Sequence, residues 1–145
     1  MLGEIGGNDY NFWFFDTKRS RYTPEKYMPD VVAGIGRGVQ EVIDLGAKTI
    51  LVPGNFPIGC VPAYLNTYRT NNSAAYDEFH CLKWFNDFSQ KHNQALKQEI
   101  SRLKSQNPGV KIIYADYFGA AMEFVKKPHN YGKLLDHSTP YDRCS

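Results

Sequence analysis

The feature that most constrains the fold is a pair of short apolar runs separated by a long amphipathic stretch. Residues Lys48–Val52 and Val110–Tyr114 are both apolar at their centres, which is typical of buried strands in a parallel sheet. Neighbouring parallel strands need a long crossover, and that crossover is usually a helix. The chain therefore predicts an α/β layer fold with a parallel sheet and right-handed crossovers.

Three stretches have the residue spacing of amphipathic helices. The first runs from Thr23, an expected N-cap followed by Pro24, to a C-terminal stop at Gly46. The second runs from about Ala74 to Lys104, and the third begins at Asp116 and continues to about Lys127. We expect the glycines inside the first helix to allow close packing on the sheet. The polar stretch from position 64 to 73 predicts a loop.

The chain starts with a short apolar run that breaks at two adjacent glycines, Gly6 and Gly7. We expect a strand that ends in a tight turn, because adjacent glycines allow positive φ and close approach of a ligand. The amide of Asn8 is an uncharged donor that could stabilise a developing oxyanion. The alternative is a simple strand-to-loop turn, in which Asn8 and Asp9 bond their own backbone.

Charge and hydropathy exclude several classes of protein. A formal net charge of +2 and a pI near 8.4 argue against a nucleic-acid binder, which needs a concentrated basic face. No apolar run approaches the ~20 residues that a membrane-spanning helix needs, and the first residues lack a signal-peptide pattern. His80, Cys81 and His92 do not have the spacing of metal ligands, so we expect no metal site.

Four separated motifs occur in order along the chain. Residues Gly6–Tyr10 read Gly-Gly-Asn-Asp-Tyr, and residues Gly54–Pro62 read Gly-Asn-Phe-Pro-Ile-Gly-Cys-Val-Pro. The stretches Ala74–Asn93 and Tyr114–Tyr117 follow them. Together they resemble the plant GDSL esterase/lipase branch of the SGNH hydrolases, over roughly Gly3–Gly132. The resemblance implies a three-layer, flavodoxin-like α/β sandwich with a parallel sheet, here incomplete at both ends.

The resemblance also implies an activity and roles for particular residues. It predicts a serine carboxylic-ester hydrolase that acts on small-molecule acyl esters and needs no metal or organic cofactor. In this family, Asn8 corresponds to a donor of the oxyanion hole, and Gly7 to the glycine that keeps the turn open. Asn55 lies in a loop near the family's active-site face, so it is a secondary candidate for lining the cleft. A purely structural role for Asn55 in the turn is the alternative.

Two catalytic blocks of the family are expected to lie outside the chain. The nucleophile belongs to an N-terminal Gly-Asp-Ser block, and the other triad members to a C-terminal Asp-x-x-His block. Asp136 and His137 are adjacent, which is the wrong spacing for that second block. We therefore expect residues 1–127 to form a partial hydrolase domain that is inactive alone, followed by an irregular, flexible tail over 128–145. The alternative is a non-catalytic truncated product that binds a ligand or a partner.

The family resemblance implies a secreted parent protein, although the chain itself would stay in the cytosol without a signal peptide. Asn71 begins an Asn-Asn-Ser glycosylation acceptor. Cys60 and Cys81 lie where the family has cysteines, so a disulfide between them is plausible, which leaves Cys144 unpaired. The alternative for both signals is chance occurrence in a reducing compartment.

Overall fold

The computed structural model describes residues 6–16 and 24–131. The predicted first strand, the predicted Thr23 cap and the predicted tail beyond residue 131 lie outside these ranges. The helices and strands of the described residues, in chain order, are α1 (Gly7–Phe14), α2 (Pro24–Asp44), β1 (Thr49–Pro53), α3 (Pro62–Thr67), α4 (Lys83–Gln106), β2 (Lys111–Ala115) and α5 (Tyr117–Lys126). Short 3-10 helices occur at Ile58–Cys60, Ser73–Ala75 and Pro128–Asn130.

Strands β1 and β2 pair in parallel, in a register that runs from Thr49 opposite Lys111 to Pro53 opposite Ala115. Helix α4 lies in the crossover between them. Both predicted strands are confirmed, each displaced by one residue. The mixed α/β class with a parallel sheet is confirmed as well, as expected for an incomplete flavodoxin-like fold.

A core of aliphatic side chains joins the sheet to two helices. Its buried members come from α2, β1, α4 and β2: Ile35, Val39, Ile50, Val52, Leu96, Ile100, Leu103 and Ile112. We expected the helix glycines to pack on the sheet, but Gly36 faces α4 instead. A Cβ at Gly36 would lie 2.0 Å from Oε1 of Glu99 on α4, so the missing side chain lets the two helices approach closely.

Aromatic side chains form a second core that docks α1 onto α4. Phe14 packs edge-to-face against Phe85 and Phe88, with ring centroids 5.2 Å apart in each pair. Tyr10 packs edge-to-face on Phe88 at 4.8 Å, a geometry that the quadrupoles of the two rings favour. Helix α1 is therefore attached to α4 by rings from two of its turns.

Two sequence predictions about helices were wrong. The stretch expected to be a loop from position 64 contains most of α3, which has Pro62 at its first turn, a favoured position for proline. The long helix begins at Lys83 rather than Ala74. Upstream of it, the carboxylate of Asp77 accepts hydrogen bonds from the backbone of Phe79 and Cys81. This local turn competes with helix formation.

Helix α2 ends as predicted. Gly46 has φ +96°, and its N–H donates to the carbonyl of Ile43 while the N–H of Ala47 donates to the carbonyl of Val42. These two bonds form a Schellman motif, which needs a left-handed residue after the helix.

Two glycine substitutions should change stability in opposite directions. A Cβ at Gly38 or at Gly46 would meet no atom within 4 Å, but only Gly46 has a positive φ. We expect Gly38→Ala to raise the free energy of unfolding by about 0.5–1 kcal/mol through helix propensity. Gly46→Ala should lower it by roughly 1 kcal/mol, because alanine disfavours the left-handed region. Urea denaturation of the two variants tests this, and equal shifts would contradict the backbone argument.

Candidate functional site

The candidate site is a cleft of about 180 Å³ between α1 and the loop that follows β1. It lies beyond the carboxyl end of β1, where parallel α/β sheets usually bind ligands. The residues that line it are Gly7, Tyr10, Asn11, Asn55, Phe56, Ile58, Val61 and Tyr64. Two separate motifs of the sequence, one around Gly7 and one around Asn55, therefore meet at one cleft.

The first wall of the cleft is the start of α1. Gly6 has φ +101°, and a Cβ there would lie 2.8 Å from Cγ1 of Val31, so the position favours glycine on both counts. We expected Asn8 on a strand-end turn, but it lies in the first turn of a helix and is exposed. Gly7 lines the cleft, whereas Asn8 is not among the lining residues.

The start of α1 has hydrogen-bond donors to offer. The first intrahelical bond of α1 runs from the N–H of Tyr10 to the carbonyl of Gly6. The N–H groups of the preceding three positions therefore have no carbonyl partner within the helix. The N-cap residue is Gly6, which has no side chain that could accept a hydrogen bond from these N–H groups. A helix start of this kind carries a partial positive charge and favours anions.

The second wall is the loop after β1, and a buried asparagine of α4 holds it in place. Oδ1 of Asn93 accepts a hydrogen bond from the backbone N–H of Asn55 at 2.6 Å, and Nδ2 of Asn93 donates to the carbonyl of Asn55 at 3.0 Å. The side-chain oxygen of Asn55 accepts from the N–H of Phe56 at 2.9 Å. Asn55 therefore stabilises the turn with its side chain while it also lines the cleft.

Further along, the same loop is attached to the start of α4. Oδ1 of Asn86 accepts from the N–H of Gly59 at 3.0 Å, and the carbonyl of Gly59 accepts from the N–H of Leu82 at 2.9 Å. A Cβ at Gly59 would lie 2.2 Å from the carbonyl oxygen of Leu82. Next to it, Cys60 and Cys81 form a disulfide, with their Cα atoms 4.4 Å apart.

A buried histidine lies beneath α1. The hydroxyl of Tyr10 and Nδ1 of His92 are 2.8 Å apart in a hydrogen bond, and both side chains are almost fully buried. Burial lowers the pKa of His92 to about 4 from its usual 6.5, because desolvation disfavours the charged ring. His92 is therefore neutral at pH 7. In residues 6–16 and 24–131, no cluster of three or more His, Cys, Asp or Glu could hold a metal ion.

The rest of the lining is partly apolar. Phe56, Ile58 and Val61 are its apolar members, and the hydroxyl of Tyr64 donates to Oδ1 of Asn11. The described residues that line the cleft include no serine, cysteine, histidine or carboxylate. The cleft as described thus offers uncharged hydrogen-bond donors and an apolar surface, and no nucleophile.

Sequence reasoning missed the supporting residues on α4. His92 was considered only as a metal ligand, and Asn86 and Asn93 were given no role. A signal was present, since Asn86 and Asn93 are seven positions apart and fall on one helix face among apolar residues. Asn71, the predicted glycosylation acceptor, is exposed in a polar stretch after α3, and its modification stays a prediction. No helix within the described ranges has the length and hydrophobicity to cross a membrane.

Comparison with known proteins gives a consistent result over nearly the whole chain. Residues 2–142 match the family described as GDSL-like Lipase/Acylhydrolase. Two GDSL esterase/lipases of Arabidopsis thaliana are 45% identical over 141 residues and 44% identical over 145 residues, which is 97% and 99% of this chain and 35% and 36% of theirs. Sinapine esterase of Brassica napus is 44% identical over 133 residues, 91% of this chain and 34% of its own. The chain thus spans about a third of the length of the curated relatives it matches.

The buried histidine should make stability fall on acidification. The folded pKa of His92 is about 4, below its ordinary 6.5, so the unfolded chain binds the proton more tightly. Between pH 6.5 and pH 4 this linkage should remove about 3 kcal/mol of stability. We expect urea denaturation at pH 7 and pH 4 to show a smaller loss for His92→Asn than for the unchanged chain. Equal losses in the two proteins would contradict the assignment.

Proposed function

The chain belongs to the GDSL-like lipase/acylhydrolase family, and we propose on that basis that it supplies the oxyanion-binding wall of a serine carboxylic-ester hydrolase. The observation that carries the proposal is the position of Gly7 and Asn8. Both residues lie in the first turn of α1, and Gly7 lines the cleft at the carboxyl end of β1. Uncharged donors fixed at such a place stabilise the negative charge that develops on an ester oxygen.

The proposed reaction follows the serine hydrolase pattern. A serine Oγ attacks the acyl carbon, its proton passes to a histidine, and an aspartate orients that histidine. The carbonyl oxygen becomes negative and accepts hydrogen bonds from the amide of Asn8 and from backbone N–H groups at the start of α1. The C–O bond of the ester then breaks, and the alcohol leaves with the proton from the histidine. Water releases the acyl group by the same steps, and no metal or organic cofactor takes part.

In this proposal, the nucleophile and the Asp-x-x-His block come from segments other than residues 1–145. The apolar lining residues Phe56, Ile58 and Val61 support an acyl ester as the small-molecule substrate. The disulfide between Cys60 and Cys81 supports a secreted protein, because disulfides persist in oxidising compartments.

The second candidate function is ligand or partner binding without catalysis. It is favoured by the absence of a nucleophile from the described lining of the cleft.

Treatment with a fluorophosphonate, which reacts with activated serines, distinguishes the two functions when it is applied both to the chain and to a chimera. In the chimera, the 145 residues replace the matching segment of an Arabidopsis GDSL esterase/lipase that aligns with 99% of this chain.

We expect intact-mass analysis to find no adduct on the chain and one adduct on the chimera, together with hydrolysis of a p-nitrophenyl ester by the chimera. An adduct on the chain alone would show that a serine within these residues is the nucleophile. A folded chimera without adduct or hydrolysis would contradict the esterase proposal and favour the binding function.

Replacement of Asn8 tests the oxyanion role directly. In the chimera, Asn8→Ala should lower kcat by ~100-fold or more and leave KM little changed, because the lost bond forms only as charge develops. Asp9→Ala is the matched control, since Asp9 is also exposed in the same turn of α1 but has no proposed role. Initial rates over a range of ester concentrations give both constants. An unchanged kcat in Asn8→Ala would remove Asn8 from the oxyanion hole.

A further inference from the structure

The buried polar side chains of the described residues are concentrated on one helix. They are Asn55, Asn86, Ser89, His92 and Asn93, and all but Asn55 belong to α4. A buried polar group costs free energy unless it is hydrogen-bonded. An apolar side chain at these positions would avoid that cost. The question is therefore what the polar groups do in place of simple packing.

His92 reaches the wall that carries Gly7 and Asn8. Its Nδ1 bonds the hydroxyl of Tyr10, one turn further along α1. Its ring also lies against the start of the helix, since a Cβ at Gly6 would be 3.6 Å from Cε1 of His92. The imidazole is therefore bonded to α1 at Tyr10 and lies close to its N-cap residue, Gly6.

Asn93 reaches the opposite wall. Its amide makes two hydrogen bonds with the backbone of Asn55, at 2.6 and 3.0 Å. A Cβ at Gly54, the preceding residue, would lie 2.8 Å from Oδ1 of Asn93. The pairing resembles one rung of a strand ladder, with a side-chain amide in place of a second backbone.

We propose that His92 and Asn93 are positioning residues of the esterase site, which together set the separation between α1 and the Asn55 loop. Successive residues of an α-helix point about 100° apart, so adjacent positions on α4 can hold two different walls. This inference rests on the proposed function. Neither residue lines the cleft, so both act through Tyr10 and Asn55. A displacement of catalytic groups by about 1 Å can cost ~100-fold in rate. Side chains that fix the separation of the two walls would therefore affect kcat.

Variants of His92 separate hydrogen bonding from packing. His92→Phe keeps the ring and removes the nitrogen that bonds Tyr10. His92→Asn removes the ring but keeps a polar atom near the position of Nδ1. In the active chimera, we expect His92→Phe to lower kcat about 10-fold or more, and His92→Asn to retain more of the kcat, with KM changed by less than about threefold in both. The opposite order would show that His92 serves only to fill space and would overturn its role.

A double-mutant cycle tests the partner through which His92 acts. Tyr10→Phe should lower kcat to a similar extent as His92→Phe, and the double variant should be no slower than the slower single variant. Multiplicative effects in the double variant would mean that the two side chains act independently, and would overturn the inference.

For Asn93, the test variant is Asn93→Asp, which keeps the size but places an oxygen where Nδ2 now donates to the carbonyl of Asn55. We expect a loss in kcat of about 10-fold or more. The matched control is Ser89→Ala, since Ser89 is fully buried on α4 and its Oγ has no hydrogen-bond partner among the described residues. A kcat of Asn93→Asp equal to that of the control would overturn the role of Asn93.

A separate measurement on the 145-residue chain, outside the chimera, distinguishes failure of this inference from failure of the proposed function. Tyr10→Phe should shift the ¹⁵N resonance of His92 Nδ1, because the hydrogen bond to that atom is lost. An unshifted resonance would overturn the contact whatever the chimera does. A shifted resonance, together with a folded chimera that hydrolyses no ester, would refute the proposed function and leave the structural contact standing.

Discussion

The geometry of the cleft depends on the hydrogen bonds that side chains of α4 make with α1 and with the loop after β1. The backbone of the loop after β1 is bonded by Asn86 at Gly59 and by Asn93 at Asn55. This loop is irregular, so its buried N–H and carbonyl groups have no strand ladder to pair with. Side-chain amides satisfy such groups well, because each offers both a donor and an acceptor. Without them the loop would leave buried polar atoms unpaired, and each would lower the free energy of unfolding by roughly 1–3 kcal/mol.

Different parts of helix α4 pack against different parts of the molecule. Its last turns contribute Leu96, Ile100 and Leu103 to the core shared with the sheet. Its first turns contribute Phe85 and Phe88 to the aromatic core under α1. The polar side chains that bond α1 and the loop after β1, namely Asn86, His92 and Asn93, lie in the first half of α4. One rigid element is therefore anchored on the sheet at one end and attached to both cleft walls at the other.

Regular elements were predictable where the local signal and the tertiary structure agree. The two strands, the stop of α2 at Gly46 and the start of α5 after Asp116 all follow from local chemistry. Helix α1 was missed because its aromatic residues follow one another without a helical period. The start of α4 was misplaced because the turn at Asp77 interrupts an otherwise continuous apolar pattern. For the site, the motifs indicated Gly7 and Asn55, but the bond from His92 to Tyr10 joins residues 82 positions apart, and no sequence pattern reports such a pair.

The preference for neutral groups around the cleft has a physical reason of its own. In the proposed ester hydrolysis, a charged donor would bind the substrate oxygen before reaction, whereas an amide and backbone N–H groups strengthen their bonds mainly as charge develops. A protonated His92 beneath α1 would add a fixed positive charge close to these donors, and burial prevents this at neutral pH by lowering its pKa. The desolvation that makes His92 costly to bury is thus what keeps it a neutral hydrogen-bonding partner for Tyr10. Because the buried His92 is neutral, the positive potential at this wall comes from the N-terminus of α1.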